Sequence, residues 1–156
     1  MTLRTRAVAL VIAALTMGVA VLGYLHLDDR EQNDLRSAAL ASATQYTEEL
    51  ATYDFNDPGA NLDRVTAAST DEFAGTYRDV STKLQDLLTT GQGTATGHVV
   101  AAGIVELSDD RATVAVFLDQ QVRNLAAPDG RTDSSRMIIE LERNGDRWLL
   151  ASAEPR

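Results

Sequence analysis

"RMIIELERNGDRWLLASA", residues 136–153, reads as two strands with a turn between them. Asn144-Gly145 sits at its centre, and such a pair reverses a chain in two residues because both tolerate positive φ. Isoleucine, leucine and tryptophan flank the turn, residue types that suit a pleated, half-buried surface. A link that short forces antiparallel pairing. Upstream, "RATVAVFLDQQV" (111–122) sets Ala112, Val114, Val116 and Leu118 against Thr113, Ala115, Phe117 and Asp119. That period of two marks a strand with one buried face. Ser108-Asp109-Asp110 is a turn leading back to "TATGHVVAAGIVEL" (94–107), which is rich in small and β-branched residues. "APDG" (127–130) supplies another turn, since proline presets one dihedral and glycine permits the reversed one. The reading is an antiparallel sheet of about four strands over 94–154.

A sheet with one packed face needs a cover, and the segments before it supply helices. Leu35, Ala39, Ala43, Tyr46, Leu50 and Tyr53 recur in steps of four and three, one face of a helix within 28–53. Further helices are expected over 61–90. Asn61 is read as the cap of a short one, Leu62 to about Ala68. Ser69 and Glu72 in "STDEF" (69–73) form a capping-box pattern for the next. Phe73, Tyr77, Val80, Leu84, Leu87 and Leu88 are expected to be the core face of that helix, and Gly91 is expected to end it in the left-handed conformation. The fold class is therefore α+β, about three helices packed on a curved antiparallel sheet.

Ahead of this domain, "AVALVIAALTMGVAVLGYL" (7–25) runs without a charge. Its length in helical form nearly matches a hydrocarbon core of about 30 Å. Arg4 and Arg6 precede it and Asp28-Asp29 follow, so the positive-inside rule puts the N-terminus in the cytoplasm. Residues 1–27 are read as a cytoplasmic start and transmembrane anchor, and 28–156 as an extracytoplasmic domain. A cleaved signal peptide is the competing reading, but its apolar region is usually shorter. All 23 acidic residues lie at or beyond Asp28, against 12 basic ones there (14 less Arg4 and Arg6), a net charge of −11. A domain so acidic repels phosphate backbones, so nucleic acid is not an expected partner. The chain has no cysteine, so it offers neither disulfides nor thiolate chemistry.

Several of these pieces, taken together, resemble a known family. The basic start, the single apolar run and an alanine-rich helix ending in "TYDF" (52–55) are similar to the Mce-associated membrane proteins of actinobacteria. "GHVVAAGIVELSDDRATVAVFLDQQVRN" (97–124) and "SSRMIIELERNGDRWLLASAE" (134–154) extend the likeness over nearly the whole chain. The resemblance implies an NTF2-like cone and a place beside Mce complexes, which import lipids across the envelope, as an accessory or stabilising subunit. It brings no catalytic motif with it.

Candidate sites are few. Asp54-Phe55-Asn56-Asp57-Pro58-Gly59 starts like a calcium loop, but position five is Pro58 and position twelve is Val65, where oxygen ligands are required. The stretch is read as a turn, with Asp54 and Asn56 ending one helix and Asn61 capping the next. His98 is the one histidine beyond the membrane boundary, where His26 sits, and is expected at the surface. With Asp119, Tyr46, Tyr53 and Tyr77 it could in principle serve an isomerase-like proton transfer, if such groups converged in a cavity. Gln120 falls on the same strand face as Val116 and Leu118 and is expected to bond a helix terminus. No catalytic, cofactor or metal residue is assigned. The expected function is an anchored accessory subunit acting by protein contact. The alternatives are a carrier of a lipid or sterol in the cone and, third, an isomerase-like enzyme.

Overall fold

The computed structural model describes residues 30–156. The apolar run 7–25 and its flanks lie outside the described residues, among which no helix is long and apolar enough to cross a membrane. Arg36–Arg156 forms one compact unit. Three helices and five strands follow one another: α1 (30–51), β1 (Tyr53–Asp54), α2 (Pro58–Ala67), α3 (Asp71–Gly91), β2 (Thr94–Leu107), β3 (Arg111–Asn124), β4 (Ala127–Asn144) and β5 (Arg147–Pro155). The sheet is an antiparallel meander in the order β1-β2-β3-β4-β5. The α+β class and the helices-then-strands order hold, with one short strand, β1, beyond the four expected.

The alternation of β3 decides which face is buried. Ala112, Val114, Val116, Leu118 and Val122 are buried, while Phe117 between them is 51% exposed. Ile139 and Leu141 of β4 and Trp148 and Leu150 of β5 continue the inner face. Helix α1 covers it with Ala39, Ala43, Tyr46, Thr47 and Ala51. Alanine allows the close approach that this packing needs. The Tyr46 hydroxyl donates to the Trp148 carbonyl at 2.7 Å, and Gln120 Nε2 donates to the Ala51 carbonyl at 2.7 Å, the helix-terminus bond expected of Gln120. Gly97 faces the end of α1 so closely that a Cβ there would lie 2.4 Å from Ala51 Cβ. Only glycine fits that crossing.

Turn chemistry departs from expectation in instructive ways. The β4–β5 hairpin forms, but its two turn residues are Gly145-Asp146 rather than the expected Asn144-Gly145: Asn144 stays in β4, paired to Arg147, and Gly145 takes φ 62. Asp146 keeps negative φ, so the turn is of the type that demands glycine at its first central position. By contrast, "APDG" is not the reversal between β3 and β4. The chain turns earlier, at Leu125-Ala126, where Asn124 Oδ1 accepts from the amides of Ala126 and Ala127, both at 2.9 Å. An asparagine side chain can mimic a backbone turn, and here it outcompetes the proline signal.

The helix ends also shift. Asp57, not Asn61, caps α2, accepting from the Ala60 amide, with Pro58 in the first turn. Proline there loses nothing, because its missing N–H has no helical partner at that position. Pro58 and Gly59 thus open a helix, and the turn falls at Phe55-Asn56, held by Asp54 Oδ1 accepting from Asn56 N at 2.9 Å. Asp54 itself belongs to β1 rather than to the end of α1. Thr70, not Ser69, caps α3 by accepting from Phe73 N, while Ser69 Oγ donates back to the Val65 carbonyl. Gln92 at φ 50, not Gly91, takes the left-handed end of α3.

Candidate functional site

A groove runs between the end of α1, the start of α2 and the second half of α3. It encloses about 460 Å³, and Leu50, Tyr53, Leu62, Tyr77, Val80, Leu84 and Leu88 supply its apolar lining. Length explains why it is open. Helix α3 has 21 residues, about 31 Å at 1.5 Å per residue, against about 15 Å for the 10 residues of α2. The two pack against each other, and the rest of α3 overhangs. Val80, Leu84 and Leu87 are 46%, 45% and 68% exposed, although their spacing predicts a core face. Ala74, one turn from the cap, is the buried residue of this helix.

One polar cluster sits at the groove's base. Asn61 is buried, and its Nδ2 donates to the carbonyls of Glu49 and Thr52, both at 2.8 Å. Both carbonyls lie at the end of α1, where a helix runs short of partners of its own, and the one at Glu49 accepts from the Thr52 amide as well. Asn61 Oδ1 in turn accepts from the Tyr77 hydroxyl. One side chain thereby ties three helices. Burial holds the Tyr77 phenol above its ordinary pKa of 10.0, and hydrogen bonds with Ser81 and Asn61 and the nearby Arg64 charge partly oppose the shift. Sequence reading missed this role for Asn61, because its position between Gly59 and Leu62 looks like a helix start.

The residues considered for proton transfer do not converge. Tyr46 is buried against Trp148, Tyr77 lies in the groove, and Tyr53 lines its rim. His98 and Asp119 are opposite each other in the β2–β3 register, on the outer face with Phe117. The His98 side chain is 80% exposed, with Nδ1 3.3 Å from Glu48 Oε1. Asp119 Oδ1 accepts from Ser134 Oγ at 2.6 Å. Neither faces the groove. Among the described residues no group of three or more histidine, aspartate or glutamate side chains is gathered to hold a metal.

Comparison with solved structures gives the fold a context. An IcmL-like type IV secretion system protein from Legionella pneumophila superposes with a TM-score of 0.64 at 8% identity, over 78% of this chain and 91% of that one. CagV, a VirB8 homologue from Helicobacter pylori, gives 0.59 at 6% identity, over 76% and 96%. The fold is thus similar to VirB8 and NTF2-like domains, as the cone implied. In sequence, "Outer membrane protein Rv1973" of Mycobacterium tuberculosis is 29% identical over 147 residues, covering 91% of this chain and 89% of that protein. Residues 1–149 match the family described as "Uncharacterized protein Rv1363c/MT1408-like". That match takes in nearly all of the 156 residues, and the chain belongs to the Rv1363c/MT1408-like family.

Proposed function

We propose that this protein is a single-pass membrane accessory subunit of an Mce-type lipid import complex, acting by protein contact. Residues 7–25 are its anchor, and 28–156 stand on the outer side of the cell membrane. The observation that carries the reading is the overhang of α3, which holds Val80, Leu84 and Leu87 in water at helical spacing. Apolar surface of that kind gains about 25 cal/mol per Å² when a partner covers it. Solved structures of this fold include type IV secretion system proteins, a precedent for the domain within envelope assemblies. The Mce assignment rests on the sequence pieces at 52–55, 97–124 and 134–154. We assign the protein no catalytic step.

Affinity capture from native membranes, with identification of what co-purifies, tests this. Mce subunits should be recovered with the full chain and depleted when Val80 and Leu84 are both changed to serine. Recovery of no Mce component would overturn the assignment. The groove itself favours a second reading, since about 460 Å³ falls within the roughly 300–1,000 Å³ of ligand sites. In that case a lipid or sterol chain occupies it, and organic extraction of the purified protein should release such a molecule in stoichiometric amount.

A further inference from the structure

The two edges of the sheet are treated differently. At the β5 edge the Leu150 amide donates to the Ala68 carbonyl and the Thr70 amide to the Leu150 carbonyl, both at 2.9 Å, so the α2–α3 link covers it. Farther along, that edge ends in Glu154, Pro155 and Arg156, a charge and a proline of the kind that discourages pairing. The β2 edge has no such cover. Strand β1 accompanies it only at Thr94 and Ala95. Thr52 Oγ1 then accepts from the Gly97 amide and Glu48 Oε1 from the Val99 amide. Past Val99, among the described residues, nothing bonds the outer edge of β2.

That open stretch is "VAAGIV", residues 100–105, without a charge or a proline. Register shifts fall at its two end residues, between Val99 and Ala101 and between Ile104 and Glu106, leaving Val100 and Val105 60% and 58% exposed. Between the shifts Ala101–Ile104 pair regularly with Phe117–Val114. Alanine and glycine put no bulk in the way of another backbone. A row of free amides and carbonyls is matched by one kind of group, an extended chain. Its alternate side chains would lie beside Ala101 and Gly103 on the outer face, with Phe117 one strand beyond, and beside Ala102 and Ile104 on the other. Glu48 borders the platform at one end, with Glu106 and the Asp109-Asp110 turn at the other.

We infer that the outer edge of β2 is a strand-addition site for an extended apolar segment of a partner protein, flanked by basic residues. Acidic borders select lysine or arginine beside the added strand. A second copy of this chain is a poor match, because each copy carries a net charge of −11 from residue 28 onward. This site lies apart from the α3 groove and does not depend on the Mce assignment.

The full chain in detergent micelles is titrated with a short peptide alternating valine and threonine, with lysine at each end. Exchange of the amides at 100–105 should slow by on the order of tenfold on saturation, with little change along α3. A glutamate-flanked peptide of the same core should bind at least about tenfold more weakly, a difference near 1.4 kcal/mol. Val100→Lys, at an exposed bulge position that tolerates a long side chain, should weaken the lysine-flanked peptide by a similar factor. Protection that is absent, that falls on α3 instead, or that is equal for both peptides overturns the proposal. So does concentration-dependent protection of the same amides without peptide, which assigns the edge to a second copy.

Discussion

Asn61 shows how much one side chain can hold. Replacing it with alanine takes the side-chain donor from the Thr52 carbonyl, leaves the Glu49 carbonyl with the Thr52 amide alone and removes one of the two partners of the Tyr77 hydroxyl. A buried polar group left without a partner costs about 1–3 kcal/mol. The expected outcome is an unfolding free energy, measured by chemical denaturation, lowered by that amount for Asn61→Ala, with the secondary-structure signal before unfolding unchanged. Tyr77 adds a pH dependence. Its pKa is raised in the folded chain, chiefly by burial, so the folded state keeps the proton longer than the unfolded state. The resulting stabilisation is complete below about pH 10 and is lost as pH rises through the folded pKa. Unfolding midpoints measured from pH 8 upward should fall more steeply above about 10 than those of Tyr77→Phe. Neither role could be read from the residues alone. Asparagine after a Pro-Gly pair signals a cap in any local reading, and only the docking of three helices shows that Asp57 had already taken that place.

Elements were legible where a period was long and misread where one cue competed with another. Strand β3 followed its alternation from Ala112 to Leu118, because burial on one face acts on every second residue. The spacing of α3 was equally regular, yet its second half faces water. Periodicity states which side of a helix is apolar but not what lies opposite it, and α2 is too short to reach. The meeting of α1 with β2 gives a sharper test. Gly97→Ala would put a methyl carbon 2.4 Å from Ala51 Cβ and 3.4 Å from Ala51 Cα, and the Ala51 side chain has no flexible tip to yield, although Leu118, with Cδ1 at 3.3 Å, does. Overpacking of this kind costs about 1–3 kcal/mol. The variant should melt several degrees lower, and Ala51→Gly in the same chain should recover part of the loss.

At the scale of the whole molecule, the anchor and the domain are proposed to work together. Exchanging residues 1–27 for a cleavable signal should lower both Mce complex abundance and lipid uptake, because tethering raises local concentration to about millimolar for short links. Undiminished uptake by the released domain, at equal protein level, would argue that the anchor serves only for export. The order in which the molecule becomes solid follows from the contact between Ser69 and Leu150. The hairpins of the meander close between neighbours in sequence, and such local contacts form early. The helical layer precedes the sheet in the chain, yet its α2–α3 link is fastened to β5, the strand farthest from it in sequence. A chain emerging from its N-terminal end therefore has helices to pack long before it has the edge that locks them. During that interval α1 can already close over β2 and β3, while the α2–α3 link has no strand to dock on.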